Sequence, residues 1–291
     1  MSFTSQNEAD AIVMRVAAQA AAQIVSSLIL GKLVHRDYAK TAAQAGDAVN
    51  ITPIANAPQP PPIVLKTEDA TFQIPDVTKA LDFPDLLKTH TQPAVSEIAG
   101  KIDTDIAALY SNFTANPAVG SLASITETVI DSAEALLLRA NAPQLDRFLV
   151  VSPRTFSAMC QISRFTEFQR ASWLDSGPGG TNGSRAGDGP MGAHGKVGDF
   201  LVFQSESIQK PSSTTYNMGL HRDALCLAVR GLPLPIPGTG AVGAFGEEGR
   251  FGVLVVTSWA QNSLAQQFAV QCLYGCAVIR NNFGIQVHSN N

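Results

Sequence analysis

The sequence predicts an α+β fold, and three observations carry that prediction. Helical and extended segments do not alternate regularly, which disfavours a chain of βαβ units. A long extended excursion over about residues 47–75, broken by Pro53, Pro58 and Pro60-Pro61-Pro62, gives way to a long amphipathic helix. The last third of the chain is dominated by strand-like runs.

The elements follow in order. Glu8 to Leu30 reads as an amphipathic helix closed by Gly31. Its apolar face is Ile12, Val16, Ala20, Ile24 and Leu28, and Arg15, Gln19 and Gln23 form a polar stripe at steps of four. That stripe argues against a membrane-spanning helix, and residues 1–10 carry Glu8 and Asp10 without the positive charge of a signal peptide. Leu33 to Asp47 reads as a connector. Val49 to Ile54, and Ile63 to Leu65 with Thr71 to Ile74 on the return, then read as the two strands of a thin arm whose prolines prevent regular pairing at the tip. A two-stranded ribbon alone is marginal in water, so this arm needs a surface to lie on.

Asp82-Phe83-Pro84 is expected to open a short helix, and Pro93 to restart the chain as a first-turn proline. Beyond it Val95, Ile98, Ile102, Ile106, Leu109 and Phe113 make one apolar stripe on a helix to Phe113. Ser124 with Glu127 suggests a capping box for a helix carrying Val129, Ile130, Ala133, Leu136, Leu137 and Ala140. Phe148 to Val151 reads as a buried strand, and Ser152-Pro153 as a cap with a first-turn proline. Residues 176–198 read as a glycine-rich loop. Strands are expected at Phe200 to Phe203, Ala224 to Val229, Phe251 to Thr257, Gln267 to Ile279 and Gly284 to His288.

Composition narrows the function. The 291 residues are 45% hydrophobic but only 15% charged, against about 25% charged in an ordinary soluble domain. Sparse charge suits a surface that neighbours cover. A net charge of −4 argues against tight nucleic-acid binding by the whole chain, though not against a container whose wall must not grip phosphate. Cys160, Cys226, Cys272 and Cys276 lack metal or redox spacing and read as reduced thiols.

Candidate chemistry is weak on context. Gly238, Gly240 and Gly243 match a dinucleotide fingerprint as a string, but Pro233, Pro235 and Pro237 stand where the strand should be, and Gly246 and Gly249 where the helix should be. A flexible loop is expected there, with nucleotide-dependent catalysis as the rival from another function class. Asp103 and Asp105 are two apart on a helix, point in different directions, and are expected on solvated faces. Ser152 lacks a G-x-S-x-G setting. His35, His90, His194, His221 and His288 show no ligand spacing. His35-Arg36-Asp37 and His221-Arg222-Asp223 are expected to make local ion pairs at element ends. No catalytic, cofactor-binding or metal residue is expected, and the arm points to an assembly subunit rather than an enzyme.

A set of ordered segments carries a resemblance. These are Val34-His35-Arg36-Asp37-Tyr38, Gly46-Asp47-Ala48-Val49-Asn50-Ile51, Phe72-Gln73-Ile74-Pro75-Asp76-Val77-Thr78-Lys79-Ala80 and Ile102-Asp103-Thr104-Asp105-Ile106. Val150-Val151-Ser152-Pro153, Gly198-Asp199-Phe200-Leu201-Val202-Phe203, His221-Arg222-Asp223-Ala224-Leu225 and Tyr274-Gly275-Cys276-Ala277-Val278-Ile279-Arg280 continue the series. In order and spacing they resemble the major capsid proteins of tailed bacteriophages, nearest to the podophage coat-protein branch typified by Salmonella phages.

The resemblance implies the Hong Kong 97-type capsid fold. Residues 1–46 would be an N-terminal arm and 47–80 an extended loop. Residues 81–141 would be the peripheral domain with its spine helix, 142–248 the axial domain, and 249–291 the return to the peripheral domain. It further implies pentamers and hexamers closing an icosahedral head around double-stranded DNA without sequence-specific binding. A separate scaffolding protein and a portal are implied, and a decoration protein is left open. The setting would be the virion, assembled in the host bacterial cytoplasm, with no membrane. An encapsulin-like compartment shell holding an enzyme cargo is the alternative on the same fold. Some relatives carry a large axial insertion, for which this chain has no room. Others cross-link through a lysine and an asparagine, for which Lys66, near the arm tip, is a candidate by position only.

Overall fold

The structure, a computed structural model, describes residues 6–36, 48–49, 62–115, 125–162, 194–211, 214–236, 241–248, 251–262 and 265–290. Two five-stranded sheets and the helices laid on them form the α+β body.

The first sheet is organised by its longest strand, β11 (Ala265–Val278). Along one edge β11 pairs antiparallel with β3 (Lys66–Pro75), from Ala265↔Pro75 to Tyr274↔Lys66. Its other edge is shared. The first half pairs with β10 (Phe251–Ala260), which in turn pairs with β9 (Val242–Glu248), and the second half pairs with β8 (Leu225–Arg230). Two short strands, β1 (Ala48–Val49) and β2 (Ile63–Val64), pair with each other at the end of this sheet.

Two long helices cover the first sheet. α1 (Gln6–Ser27) buries Val13, Val16, Ala17, Ala20, Ala21 and Ile24, and Leu28 just past its end is buried with them. The spacing of three and four keeps these on one stripe. α1 crosses β9 where a Cβ on Gly246 would meet the Ala17 carbonyl oxygen, so glycine permits the close approach. The partner surface that this helix needs is therefore supplied by its own chain. The helix ends at Ser27, and Gly31 lies inside a single turn, α2 (Leu30–Leu33), rather than closing α1.

α3 (Asp76–Ala108) is one 33-residue helix, roughly 50 Å long. It runs through both Pro84 and Pro93, where a short helix and a restart were expected. A proline removes one intrahelical bond, yet Val95, Ile98, Ile102 and Ile106 are all buried beneath the helix, and packing outweighs the missing donor. A 3-10 turn, Leu109–Asn112, ends it and leaves Phe113 buried.

The second sheet runs β12-β7-β4-β6-β5: β12 (Gly284–Asn290), β7 (Thr214–His221), β4 (Arg147–Val151), β6 (Phe200–Gln204) and β5 (Gly195–Val197). β4 and β6 are parallel and the other pairs antiparallel. α4 (Glu127–Arg139) buries Ile130, Ala133 and Leu137. Its N-cap is Thr126, while Ser124 of the expected capping box lies outside the described residues. α5 (Pro153–Met159) is capped as expected, with Ser152 Oγ accepting from the Thr155 N–H.

Sheet membership departs from the expected segment boundaries. Residues 66–75 are sheet and 76–80 helix, so the free loop is shorter than 47–80, and its residues 50–61 lie outside the described residues. β8 and β9 fall within 142–248 yet belong to the first sheet, and β12 falls within 249–291 yet completes the second. The chain crosses between sheets at two adjacent places. β7 leads to β8 through the 3-10 turn Arg222–Ala224, and β11 to β12 through the turn Asn281–Phe283. The crossings are tied by the Ile279 N–H donating to the Ala224 carbonyl at 2.9 Å, and His221 stands edge-on to Phe283 at 5.7 Å.

Candidate functional site

The site of interest is the base of the extended loop, where β1 and β2 leave the first sheet beside α3. Ile63 and Leu65 are buried with Cys226, Ala228, Leu273 and Ala277. The seat is close: a Cβ on Gly275 of β11 would stand 2.5 Å from the Val64 carbonyl oxygen and 2.7 Å from Ile63 Cγ2. Val64 itself is 63% exposed between those two buried neighbours. Alternation along the strand thus anchors one face of the loop and offers the other.

Charge fixes the same base to α3. Lys66 Nζ pairs with Asp105 Oδ2 and lies 3.7 Å from Glu68 Oε1. Tyr274 O–H donates to the same Asp105 carboxylate, and Lys66 stands 5.2 Å from the centre of the Tyr274 ring. Burial and the adjoining carboxylate push the Tyr274 hydroxyl pKa upward. One turn earlier on α3, Lys101 bonds Glu68 at 3.3 Å and lies 3.7 Å from Glu97, and the Glu68 contact raises the Lys101 pKa. Lys66 is therefore engaged at the loop base, not carried at the arm tip.

The two aspartates of α3 depart from the solvated faces expected of them. Asp105 is the hub just described. Asp103 is 3% exposed, with Oδ2 accepting from the Ile29 N–H at 2.8 Å and Oδ1 from the Gly31 N–H at 2.9 Å. Burial raises its pKa to about 6, against the pull of these donors and of Lys32. Residues two apart do diverge on a helix, as expected. Both divergent directions meet protein rather than water, because α2 lies on one side and β3 with β11 on the other.

The remaining candidates resolve into structure. Ser152 is buried, its Oγ 2.9 Å from Thr155 Oγ1, which lies 2.7 Å from Ser289 Oγ. Asn217 completes this network by accepting from the Ser152 N–H and donating to the Val287 carbonyl and Ser289 Oγ. Gly243 and Gly246 lie within β9, which continues into strand pairing with β10 where the fingerprint requires a helix, so the expected flexible loop is partly strand. His221 Nδ1 accepts from the Asp223 N–H and so stands unprotonated, 3.8 Å from the Asp223 carboxylate, a backbone contact where an ion pair was expected. Arg36 lies over the Phe251 ring at 5.6 Å. The four cysteines, all among the described residues, form no disulfide, and burial pushes the Cys226 and Cys272 thiols up to about 12. Among the described residues no group of three or more His, Cys, Asp or Glu side chains is placed to hold a metal, and no helix is long and apolar enough to cross a membrane.

Arg147 escaped the sequence reading. Its fully buried guanidinium donates to the Pro143 and Ala142 carbonyls at 2.7 Å each and pairs with Asp199 at 3.2 Å. Its position one residue before an apolar run was the only available signal.

No protein-family model matches the chain, and no curated protein matches it. Solved structures do. A chain from Mycobacterium phage Che8 superposes with a TM-score of 0.59 at 14% identity, covering 89% of this chain and 90% of the other. The capsid of Ralstonia phage GP4 gives 0.58 at 12% identity, covering 89% and 87%. A virus-like particle from Pyrococcus furiosus gives 0.54 at 11% identity, covering 95% and 99%. The chain has the tailed-phage major capsid fold, the Hong Kong 97-type fold.

Proposed function

We propose that this chain is a structural subunit of a closed protein shell, the major capsid protein of a phage head. Copies would form pentamers and hexamers around double-stranded DNA in the virion, assembling in the host bacterial cytoplasm with a separate scaffolding protein and a portal. The role is structural and not enzymatic. The observation that carries the reading is the loop base. A two-stranded excursion departs from a sheet whose Gly275 seat and Asp105 hub fix its direction, and it presents the exposed Val64 outward. Leu234 and Ile236, 57% and 74% exposed in the segment joining β8 to β9, add apolar surface that suits coverage by neighbours. By symmetry each copy would offer and receive the same contacts, so stability should depend on assembly state.

Electron microscopy and mass measurement of the purified protein, with a scaffolding partner, test this reading. Closed shells of pentamers and hexamers are expected, and a stable monomer that never closes would overturn it. Deleting Pro58 to Lys66 would also remove Ile63 and Leu65 from the core. The cleaner deletion is therefore Pro58 to Pro62, which is expected to leave a folded, soluble chain that fails to assemble. Normal shells from that deletion would refute the loop's role.

A second reading on the same fold is a compartment loaded with an enzyme cargo, and the likeness to a virus-like particle from Pyrococcus furiosus keeps shells other than phage heads in view. Copurification of a cargo protein in place of DNA would select it. Titration with dinucleotides addresses the Gly238 string, and no binding at millimolar concentration is expected.

A further inference from the structure

The face of the first sheet turned away from the helices carries a raised apolar ridge. Tyr274 of β11 reaches Asp105 of α3, so Gln271 and Leu273 belong to the opposite face. Register places Leu254 and Phe245 in line with Gln271, and Arg230 beside Leu273, all on that same face. Past the end of β8, residues 231–236 cross this face as a strap. A Cβ on Gly243 would stand 2.5 Å from Pro235 Cδ, so the strap lies directly on β9. The Phe245 ring in turn covers Gly231 of the strap and Gly252 of β10, where a Cβ would stand 2.6 Å and 2.3 Å from ring atoms.

Pro233 and Pro235 fix the strap backbone and remove two amide donors. Leu234 and Ile236 therefore project to solvent from a rigid support, beside Phe245 at 39% exposure. A ridge already held in one conformation loses little ordering entropy when it docks.

Two charges flank the ridge. Arg230 adjoins Gly231, Glu247 pairs with Gly252, and Phe245 lies over both glycines. Neither charge makes an ion pair with another described residue. Asp69, on the same face, stands three strands away on β3. A uniformly charged partner would be attracted by one flank and repelled by the other. A patch with an apolar centre, a cation on one side and an anion on the other is instead complementary to itself. A twofold rotation sets Arg230 of each copy against Glu247 of the other.

We propose that this ridge is an isologous contact between two copies of the chain, with Leu234, Ile236 and Phe245 buried at its centre and Arg230 paired with Glu247 across it in both directions. On the shell reading, on which this assignment rests for its setting, a twofold contact cannot itself close a five- or sixfold ring, so it joins subunits of neighbouring rings.

Sedimentation of the full chain over a dilution series tests the contact. Ile236→Ser is expected to weaken association at least ~10-fold, because the contact buries that side chain twice. Arg230→Glu and Glu247→Arg should each weaken it by ~10-fold or more, since like charges then meet on both sides of the axis. An equimolar mixture of these two variants should recover the association of the unaltered chain, because each copy supplies the charge that the other has reversed. A mixture that stays weak overturns the contact, even if the double variant recovers, since recovery in the double variant alone would place the pair within one chain. Ile236→Ser and Glu247→Arg change exposed side chains, and unchanged unfolding midpoints confirm that both variants fold. Undiminished association in either one overturns the contact, and closed shells formed by these variants would leave the shell reading standing. Twofold pairs that never close into shells would support the contact and count against the shell reading. An unaltered chain that stays monomeric at every concentration overturns both.

Discussion

The two sheets are held together by different chemistry. The first gathers α1, α3, β3 and the loop base mainly by apolar burial, with ion pairs at its rim. The second shares that apolar core and is further pinned by buried polar groups. Arg147 serves two carbonyls and a carboxylate, and Asn217 of β7 joins Ser152, just past β4, to β12 through three hydrogen bonds. Apolar contacts are non-directional, so packed helices can shift against a sheet at modest cost. A satisfied polar network tolerates one arrangement and penalises the rest. The loop, proposed above to contact neighbours, departs from the first sheet. The rigid sheet supports the region that joins it through two adjacent crossings.

Arg147→Ala is expected to have the largest effect on this contrast. It strips the Pro143 and Ala142 carbonyls of their donor and leaves Asp199 facing Glu134, whose pKa is already raised by burial and by Asp199. Breaking a buried pair of this kind costs about 3–5 kcal/mol. Urea unfolding would measure it, and exchange protection should fall first in β4, β6 and β7. Equal loss across α1 and β9 would mean that the two sheets unfold as one unit.

Gly246→Ala probes the other sheet. The added Cβ would meet the Ala17 carbonyl and the Ala18 amide, which are backbone and have no rotamer through which to escape. Overpacking of this sort costs about 1–3 kcal/mol. If the first sheet is the adaptable one, α1 should slide and the loss should fall at the low end, with β4 and β12 protection unchanged. A loss as large as that of Arg147→Ala would erase the contrast.

These two residues also mark what was legible in the sequence. Strand β11, the stripe of α3 and the Ser152 cap were readable because periodicity and first-turn proline chemistry are local. Arg147 and Asp103 were not. A charged residue beside an apolar run is ordinarily solvated, and only the fold reveals that Ala142, Pro143 and the Ile29 turn stand over these side chains. Spacing correctly separated Asp103 from Asp105 but carried no information about which direction was wet. Pro93 misled in the opposite sense, since its local preference for a helix start yielded to the burial of Val95, Ile98 and Ile102. The strand at 66–75 was read as arm because its partner, β11, lies about two hundred residues away in sequence.

Acidity should separate the two sheets. His221 and His288, on the second sheet, have pKa values lowered by burial. The unfolded chain then takes up protons more readily, so their contribution is present above about 6.5 and is lost as pH falls below it. Between pH 7 and 5, exchange protection is expected to drop in β7 and β12 more than at Ile29 and Gly31. An equal drop at both places would show that these histidines do not govern their own region.

The smallest expected effect is that of Lys66→Ala. The side chain is 45% exposed, so its pairing with Asp105 is screened by water and salt and contributes about 0.2–1 kcal/mol. Tyr274 still donates to Asp105 after the change, and Gly275 still seats Val64. Unfolding midpoints should barely move. On the proposed shell role, particle yield is the more sensitive readout, because a weakened base would let the loop depart at a wider range of angles and each misdirected copy would spoil its ring. A normal yield together with an unchanged midpoint would show that the apolar seat alone directs the loop, with the charged rim adding nothing to it.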